Sequence, residues 1–268
     1  MKENRFLAII SVLVLLVILP HKATSQIMEV GVTGGLSYYI GDINPKKHFN
    51  QSDLGLGVAI RYYQNLRWAF RFQYTNMSLK SSDDIVGFRP ERGLAFNSKV
   101  NDFAFLAEFN FFDYWTGSNR NYFTPYLVAG ISIFNFNSYA PDGVALQPLQ
   151  TEGVAYNSLS WSIPFGIGIK YSLTKRIGIT LEWIMHKAFT DYIDDIHGLY
   201  PEPSDAVSDY SYTDPTGISK PGMQRGNGTS SSLGYNYDWY GMLGFSVLYR
   251  FNLPKKEVCN SGVRGASK

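Results

Sequence analysis

The chain has 268 residues, with 24 Lys and Arg against 22 Asp and Glu, a formal net charge of +2, and a single Cys. A near-neutral balance without clustered Lys and Arg excludes nucleic-acid binding of the kind that works through phosphate contacts, and one cysteine excludes an intrachain disulfide framework. The mean hydropathy of −0.13 resembles that of a soluble protein, but it is a poor test where only alternate residues are apolar.

Lys2 and Arg5 precede an apolar run from Phe6 to Leu19, and Ala23-Thr24-Ser25 follows. The run is shorter than the roughly 20 residues of a spanning helix and leads into small residues, which predicts a signal peptide over 1–25 cleaved after Ser25. Its removal takes away Lys2, Arg5, Lys22 and Glu3, leaving 21 residues of each sign.

In the first strand Met28, Val30, Val32, Leu36, Tyr38 and Ile40 share one parity, and Glu29, Gly31, Thr33, Gly35, Ser37 and Tyr39 the other. The second, about 54–63, sets Leu54, Leu56, Val58 and Ile60 against Gly55, Gly57, Ala59 and Arg61. The third, about 68–78, sets Trp68, Phe70, Phe72 and Tyr74 against Ala69, Arg71, Gln73 and Thr75. A polar loop over 80–97 leads to the fourth strand, ending near Phe112, where Phe103, Phe105, Phe109 and Phe111 oppose Asp102, Leu106, Glu108 and Asn110. The fifth covers about 124–136. The sixth puts Leu159 through Tyr171 outward at alternate positions and Lys170 inward, with Pro164 expected to mark a bulge. The seventh runs from Ile177 with Glu182 and His186 inward, and the last from Trp239 to Phe251 with Arg250 inward.

Large apolar residues on one parity and small or charged ones on the other, repeated along the chain, form the pattern of an outer-membrane β-barrel. Connection lengths agree: 64–67, 113–123 and 172–176 are short to moderate, whereas 41–53, 80–97, 137–158 and 188–237 are long. Short periplasmic turns alternating with long external loops are what such barrels have. The expected fold is therefore all-β: a transmembrane, antiparallel up-and-down barrel of about eight strands over 26–251, its lumen filled by side chains. Four inward acids, Glu29, Asp102, Glu108 and Glu182, balance four inward bases, Arg61, Arg71, Lys170 and Arg250. Because unpaired charge in a dry interior is costly, they are expected to form a structural salt-bridge network that plugs the barrel.

Trp68, Trp161, Trp183 and Trp239 fall on the lipid-facing parity, as interfacial girdles require. Phe245, Val247, Tyr249 and Phe251 make the aromatic last strand that barrel insertion machinery reads. Residues 252–268 then form a periplasmic tail carrying Lys255, Lys256, Cys259, Arg264 and Lys268. Cys259 lacks metal-ligand spacing. Gly55/Gly57 and Gly166/Gly168 stop short of a dinucleotide fingerprint and read as lumen glycines. His186 and Glu182 are too far apart along a strand for direct hydrogen bonding, and neither His48 nor His197 has a visible catalytic partner. The acidic run Asp191-Tyr192-Ile193-Asp194-Asp195 lacks calcium-loop spacing. No enzyme chemistry and no cofactor is expected, and 201–232, rich in Pro, Gly, Ser and Asp, is expected to be a mobile or partner-ordered loop.

Four segments carry a family resemblance. Glu29 to Gly35, continuing Tyr38-Tyr39-Ile40-Gly41-Asp42-Ile43-Asn44-Pro45, resembles the opening of the PorG-like outer-membrane barrels of Bacteroidetes. Pro164 to Tyr171, Phe189-Thr190-Asp191-Tyr192-Ile193-Asp194-Asp195, and Arg225-Gly226 with Asp238-Trp239-Tyr240 follow in the same order. An Arg that such proteins carry before the third segment is replaced around His186-Lys187, and a long insert separates Tyr200 from Gly222.

The resemblance implies a non-enzymatic subunit of the type IX secretion system, with a role in gliding in some relatives. Such a subunit links the bacterial outer membrane and its lipids to a periplasmic ring of PorK-like and PorN-like partners. Gly41, Asp42, Asn44 and Pro45 match the first motif, and Asp191, Tyr192, Asp194 and Asp195 the third; both lie on outer loops and are expected to brace the external mouth. Ring contact is then expected at the periplasmic turns and the basic tail. A general OmpA-like structural or adhesive barrel is the alternative, followed by a small lipid-modifying enzyme.

Overall fold

β-branched and aromatic residues alternating with glycine and polar residues favour paired strands, and the strands close on themselves. The computed structural model describes residues 27–203, 209–226 and 237–251. The signal segment, the tail with Cys259, and 204–208 and 227–236 of the last connection lie outside the described residues. The strands are β1 (Ile27–Ile40), β2 (Asp53–Tyr63), β3 (Trp68–Ser82), β4 (Ala95–Asn110), β5 (Phe123–Tyr139), β6 (Leu159–Ser172), β7 (Ile177–Ala188) and β8 (Trp239–Arg250). They form one closed barrel in chain order, with β1 sealing against β8 from Glu29↔Arg250 to Ile40↔Trp239. Stepping between register partners, Met28 of β1 leads through Phe70, Ala129 and Gly241 back to Tyr38 of the same strand, a stagger of ten residues. A stagger of that size tilts the strands by about 40° and leaves an interior that side chains fill.

The outer surface is apolar. Leu54 and Phe72 are 67% and 63% exposed, while Arg61 and Arg71 on the opposite parity are 1% and 0% exposed. Closure gives every wall strand a paired neighbour on both sides, and the greasy face has no protein to cover it; this is the surface of a membrane-spanning barrel.

Four local features differ from the sequence-based expectations. β3 and β4 extend to a pair at Ser82↔Ala95, shortening the expected 80–97 loop. Above the apolar belt the outward residues Ser78, Lys80, Asn97 and Lys99 are polar, whereas Leu79 and Phe96 still point inward to an apolar core; the strand continues although its outer face changes solvent. Pro164 makes no bulge. Pairing of β6 with β5 keeps one register on both sides of it and lapses between Ala129↔Phe165 and Ser132↔Ser162, while Pro164↔His186 pairs normally on the other side. The missing N–H is simply an omitted rung.

The segment 209–226 packs into the structure, burying Thr213, Asp214 and Arg225, so this part of the expected mobile loop is folded. Finally, Tyr38 is buried although its parity faces outward. Its ring lies over Gly241, where a Cβ would stand 2.5 Å away, and beneath His48 and Phe49. Trp183 Nε1 donates to its hydroxyl at 2.7 Å, which draws that girdle tryptophan into a cluster.

Candidate functional site: a filled lumen and a cap

The lower lumen, towards the short turns, contains three carboxylates and three cations. Arg61 reaches Glu29 at 3.2 Å and Glu108 at 2.9 Å. Arg71 reaches Glu108 at 3.0 Å and Glu182 at 2.8 Å, and Lys170 Nζ reaches Glu108 at 2.5 Å. Glu108 is therefore the hub, facing all three cations. Its contacts with the two arginine Nε atoms are charge contacts whose N–H bonds do not point along them, so balance of charge, more than hydrogen-bond geometry, holds this layer. Tyr126 donates to Glu182, and Lys170 stands 4.5 Å from the Tyr126 ring centre.

All eight charges singled out in the sequence point inward and are buried, but two stand outside this network. Arg250 donates to the carbonyl of Thr116 and lies 4.2 Å from the Trp115 ring centre. The connection after β4 folds under the barrel, with Tyr114 and Thr116 buried, and the Thr116 hydroxyl donates to Glu29. Sequence parity had no means of finding this floor, because a turn lacks a two-residue period. Asp102 sits higher. It accepts from Ser132 Oγ at 2.8 Å and Tyr240 OH at 2.7 Å, with His186 Nδ1 at 3.6 Å. Ser162 lies 3.2 Å from the same His186 nitrogen. The residue types are those of a hydrolytic triad, but Ser162 and Asp102 both face Nδ1, so nucleophile, base and orienting acid are not in relay. A cavity of ≈ 20 Å³ between this layer and the charge layer, bordered by Thr75, Glu182 and His186, has room for about one water.

The long connections form a cap with its own apolar core. Met77, Leu79, Phe96, Val100, Phe134 and Phe136 from the extended strands pack with Ile43, Leu146, Ile193 and Ile196 from the connections. Arg92 ties two connections together by pairing with Asp83 at 2.6 Å and donating to the carbonyl of Asp42 at 3.1 Å. Arg225 donates to the Asp195 carbonyl at 2.7 Å, Thr151 Oγ1 at 3.0 Å and Glu152 at 3.2 Å.

The two motif segments meet here. The peptide N–H of Gly41 donates to the Asn44 carbonyl, and Asn44 Nδ2 donates to the carbonyls of Tyr39 and Lys47 at 2.9 and 2.7 Å, closing the turns on either side of it, the second around Pro45. Tyr192 stacks on Tyr156 with centroids 4.4 Å apart. Asp195, at φ 65°, accepts from Thr151 at 2.5 Å and Tyr156 at 2.7 Å. Asp191 lies 2.9 Å from His197 Nδ1, while Asp42 and Asp194 are buried near Tyr39 and Asp238. Burial raises the Asp194 and Asp238 carboxyls well above the usual carboxylate range; Asp42 adds most to the first and Asp194 to the second. A cleft of ≈ 310 Å³ opens among these connections, lined by Ile43, Leu94, Leu146, Asp194, Tyr212 and Arg225.

A family model described as a domain of unknown function (DUF6089) matches residues 6–259. No curated protein matches the chain. Among solved structures, Ail, the attachment invasion locus protein of Yersinia pestis, crystallised with the heparin analogue sucrose octasulfate, is 10% identical, covering 84% of this chain and 99% of that one, TM-score 0.43. Neisserial surface protein A is 13% identical, covering 84% and 97%, TM-score 0.42. The outer membrane protein OprG from Pseudomonas aeruginosa is 17% identical, covering 87% and 98%, TM-score 0.40.

Proposed function

Proceeding from the fact that the chain belongs to the DUF6089 family, we propose that it is a non-enzymatic barrel of the bacterial outer membrane. Its work is to anchor or assemble the PorK-like and PorN-like periplasmic ring of a type IX secretion system. The observation that carries this reading is a lumen filled along its length. The floor around Thr116, the Glu108 charge layer, the Asp102 layer and the apolar cap succeed one another up the lumen. A barrel built this way serves as a rigid membrane fixture, with its activity in what it holds. The motif resemblance supports the choice of partner, with Gly41, Asp42, Asn44, Pro45, Asp191, Tyr192, Asp194 and Asp195 assigned to the external cap and the turns and the 252–268 tail left to meet the ring.

Purification of the tagged chain from native membranes, in detergent that preserves the ring, is the direct test. Co-recovery of the PorK-like and PorN-like components is expected, together with loss of sorting-domain cargo secretion on deletion. Recovery of the barrel alone with normal secretion refutes the assignment. Truncation after Phe251 is expected to spare insertion and weaken ring association.

The cleft of ≈ 310 Å³ in the cap favours a second reading, an OmpA-like structural or adhesive surface barrel. That reading predicts deletion mutants that secrete normally but lose surface attachment.

A further inference from the structure

Tyr39, near the top of β1, directs its hydroxyl into the seam between cap and barrel. The oxygen accepts the backbone N–H of Asp42 at 3.0 Å and stands 2.6 Å from Asp194 Oδ2 and 2.7 Å from Asp238 Oδ1. A tyrosine hydroxyl has one hydrogen to donate. It serves one of the two carboxylates, so the other must bring its own proton and donate to the tyrosine oxygen. The second oxygen of each side chain is already engaged: Ile196 N–H donates to Asp194 Oδ1 at 3.0 Å, and Ile193 N–H to Asp238 Oδ2 at 2.9 Å. The extra hydrogen thus follows from the distances.

We propose that Asp194 and Asp238 hold one proton between them in addition to the Tyr39 hydroxyl's own hydrogen, and that this extra proton latches the cap onto the barrel rim, the cap loosening when it is lost. The three groups come from β1, the connection after β7 and the residue preceding β8, so the latch joins segments that meet only in the folded chain.

The surrounding charges oppose ionisation. Asp42 faces the group from the connection after β1, and Asp191 from the connection after β7, with His197 beside it. Burial and then Asp42 push Asp191 up to about 7. The nearby cations are committed elsewhere, Arg92 to Asp83 and the Asp42 carbonyl, Arg225 to Glu152 and Asp195; among the described residues neither pairs with Asp194 or Asp238. Asp194 also lines the open cleft, which gives the proton a route to solvent. A carboxyl raised in the folded state stabilises that state fully at acid pH, and the contribution is lost as pH rises through the raised value. The latch is therefore closed on the acid side and open on the alkaline side, whatever the barrel anchors.

The test is amide hydrogen exchange of residues 190–198 in the full chain folded in detergent, corrected for intrinsic rate, with β2 as internal reference. Between about pH 6 and about pH 10, exchange in the wild type is expected to rise at least about tenfold relative to β2. Asp194→Asn and Asp238→Asn are each expected to stay within about twofold over the same range, because the amide oxygen accepts from the backbone N–H and the amide nitrogen donates to Tyr39. A flat wild-type profile, or Asn variants that rise as the wild type does, overturns the latch. Should neither variant fold, infrared spectroscopy of Asp191→Asn decides, since Asp191 titrates in the same range: the carbonyl stretch of a protonated aspartic acid must be present on the acid side and vanish over the same range. Its absence on the acid side rules the shared proton out.

Discussion

Replacing Glu108 with Gln keeps the shape of the lumen and removes the charge at its hub. Three cations, Arg61, Arg71 and Lys170, then face only Glu29 and Glu182, all of them buried. Breaking a buried ion-pair cluster by deleting one partner costs about 3–5 kcal/mol, because the remaining charge keeps its desolvation penalty. Glu108 meets three cations within 3.0 Å, which puts the expectation for Glu108→Gln at the upper end, about 4–5 kcal/mol. Denaturant unfolding in detergent, followed by the heat-modifiable band shift of a folded barrel, measures it. The decisive comparison is Glu108→Gln combined with Lys170→Met, which restores two cations against two carboxylates. If charge balance governs the layer, the double variant should recover at least about 2 kcal/mol over the single. A double variant as unstable as the single, or a single variant costing below about 1 kcal/mol, would show that packing and not electrostatic balance holds the lumen.

Three further outcomes are expected. Gly35→Val places a Cβ 2.1 Å from the Leu243 carbonyl oxygen and 2.7 Å from the Gly244 Cα at the seam that closes the barrel; since backbone must move, a loss of about 2 kcal/mol or more is expected in the same unfolding assay. Arg225→Ala removes donors to Asp195, Thr151, Glu152 and Thr213. It should speed proteolytic cleavage within the cap about tenfold while leaving the barrel's heat-modifiable shift unchanged, since cap and wall open separately; equal weakening of both would show a single cooperative unit. Planar-bilayer recordings of the wild type should show no stable large conductance, and a reproducible porin-like current would mean that the lumen layers part in the membrane.

The wall of the barrel was legible residue by residue because each strand faces two environments, lipid and lumen, and the two-residue period sorts side chains between them locally. Leu54 to Arg61 is sufficient to give orientation, and the same parity puts Arg71, Glu108 and Lys170 in the lumen. Parity misjudged places where the outer environment changes: Ser78–Ser82 leaves lipid for water and still pairs, and Tyr38 is covered because Gly241 leaves a seat for its ring. It also could not say which lumen charges meet, since partners depend on height along the barrel; Asp102 goes to Tyr240 and His186 instead of an arginine.

The sequence by itself determined a closed, greasy-walled barrel, because alternation and connection length are properties of neighbours in the chain. Only the tertiary structure decided how the two ends are sealed. Thr116 reaches Glu29 across 87 residues, and Tyr39 meets Asp194 and Asp238 across 155 and 199. Contacts at such separations leave no period in the sequence, because barrel closure alone brings those residues together.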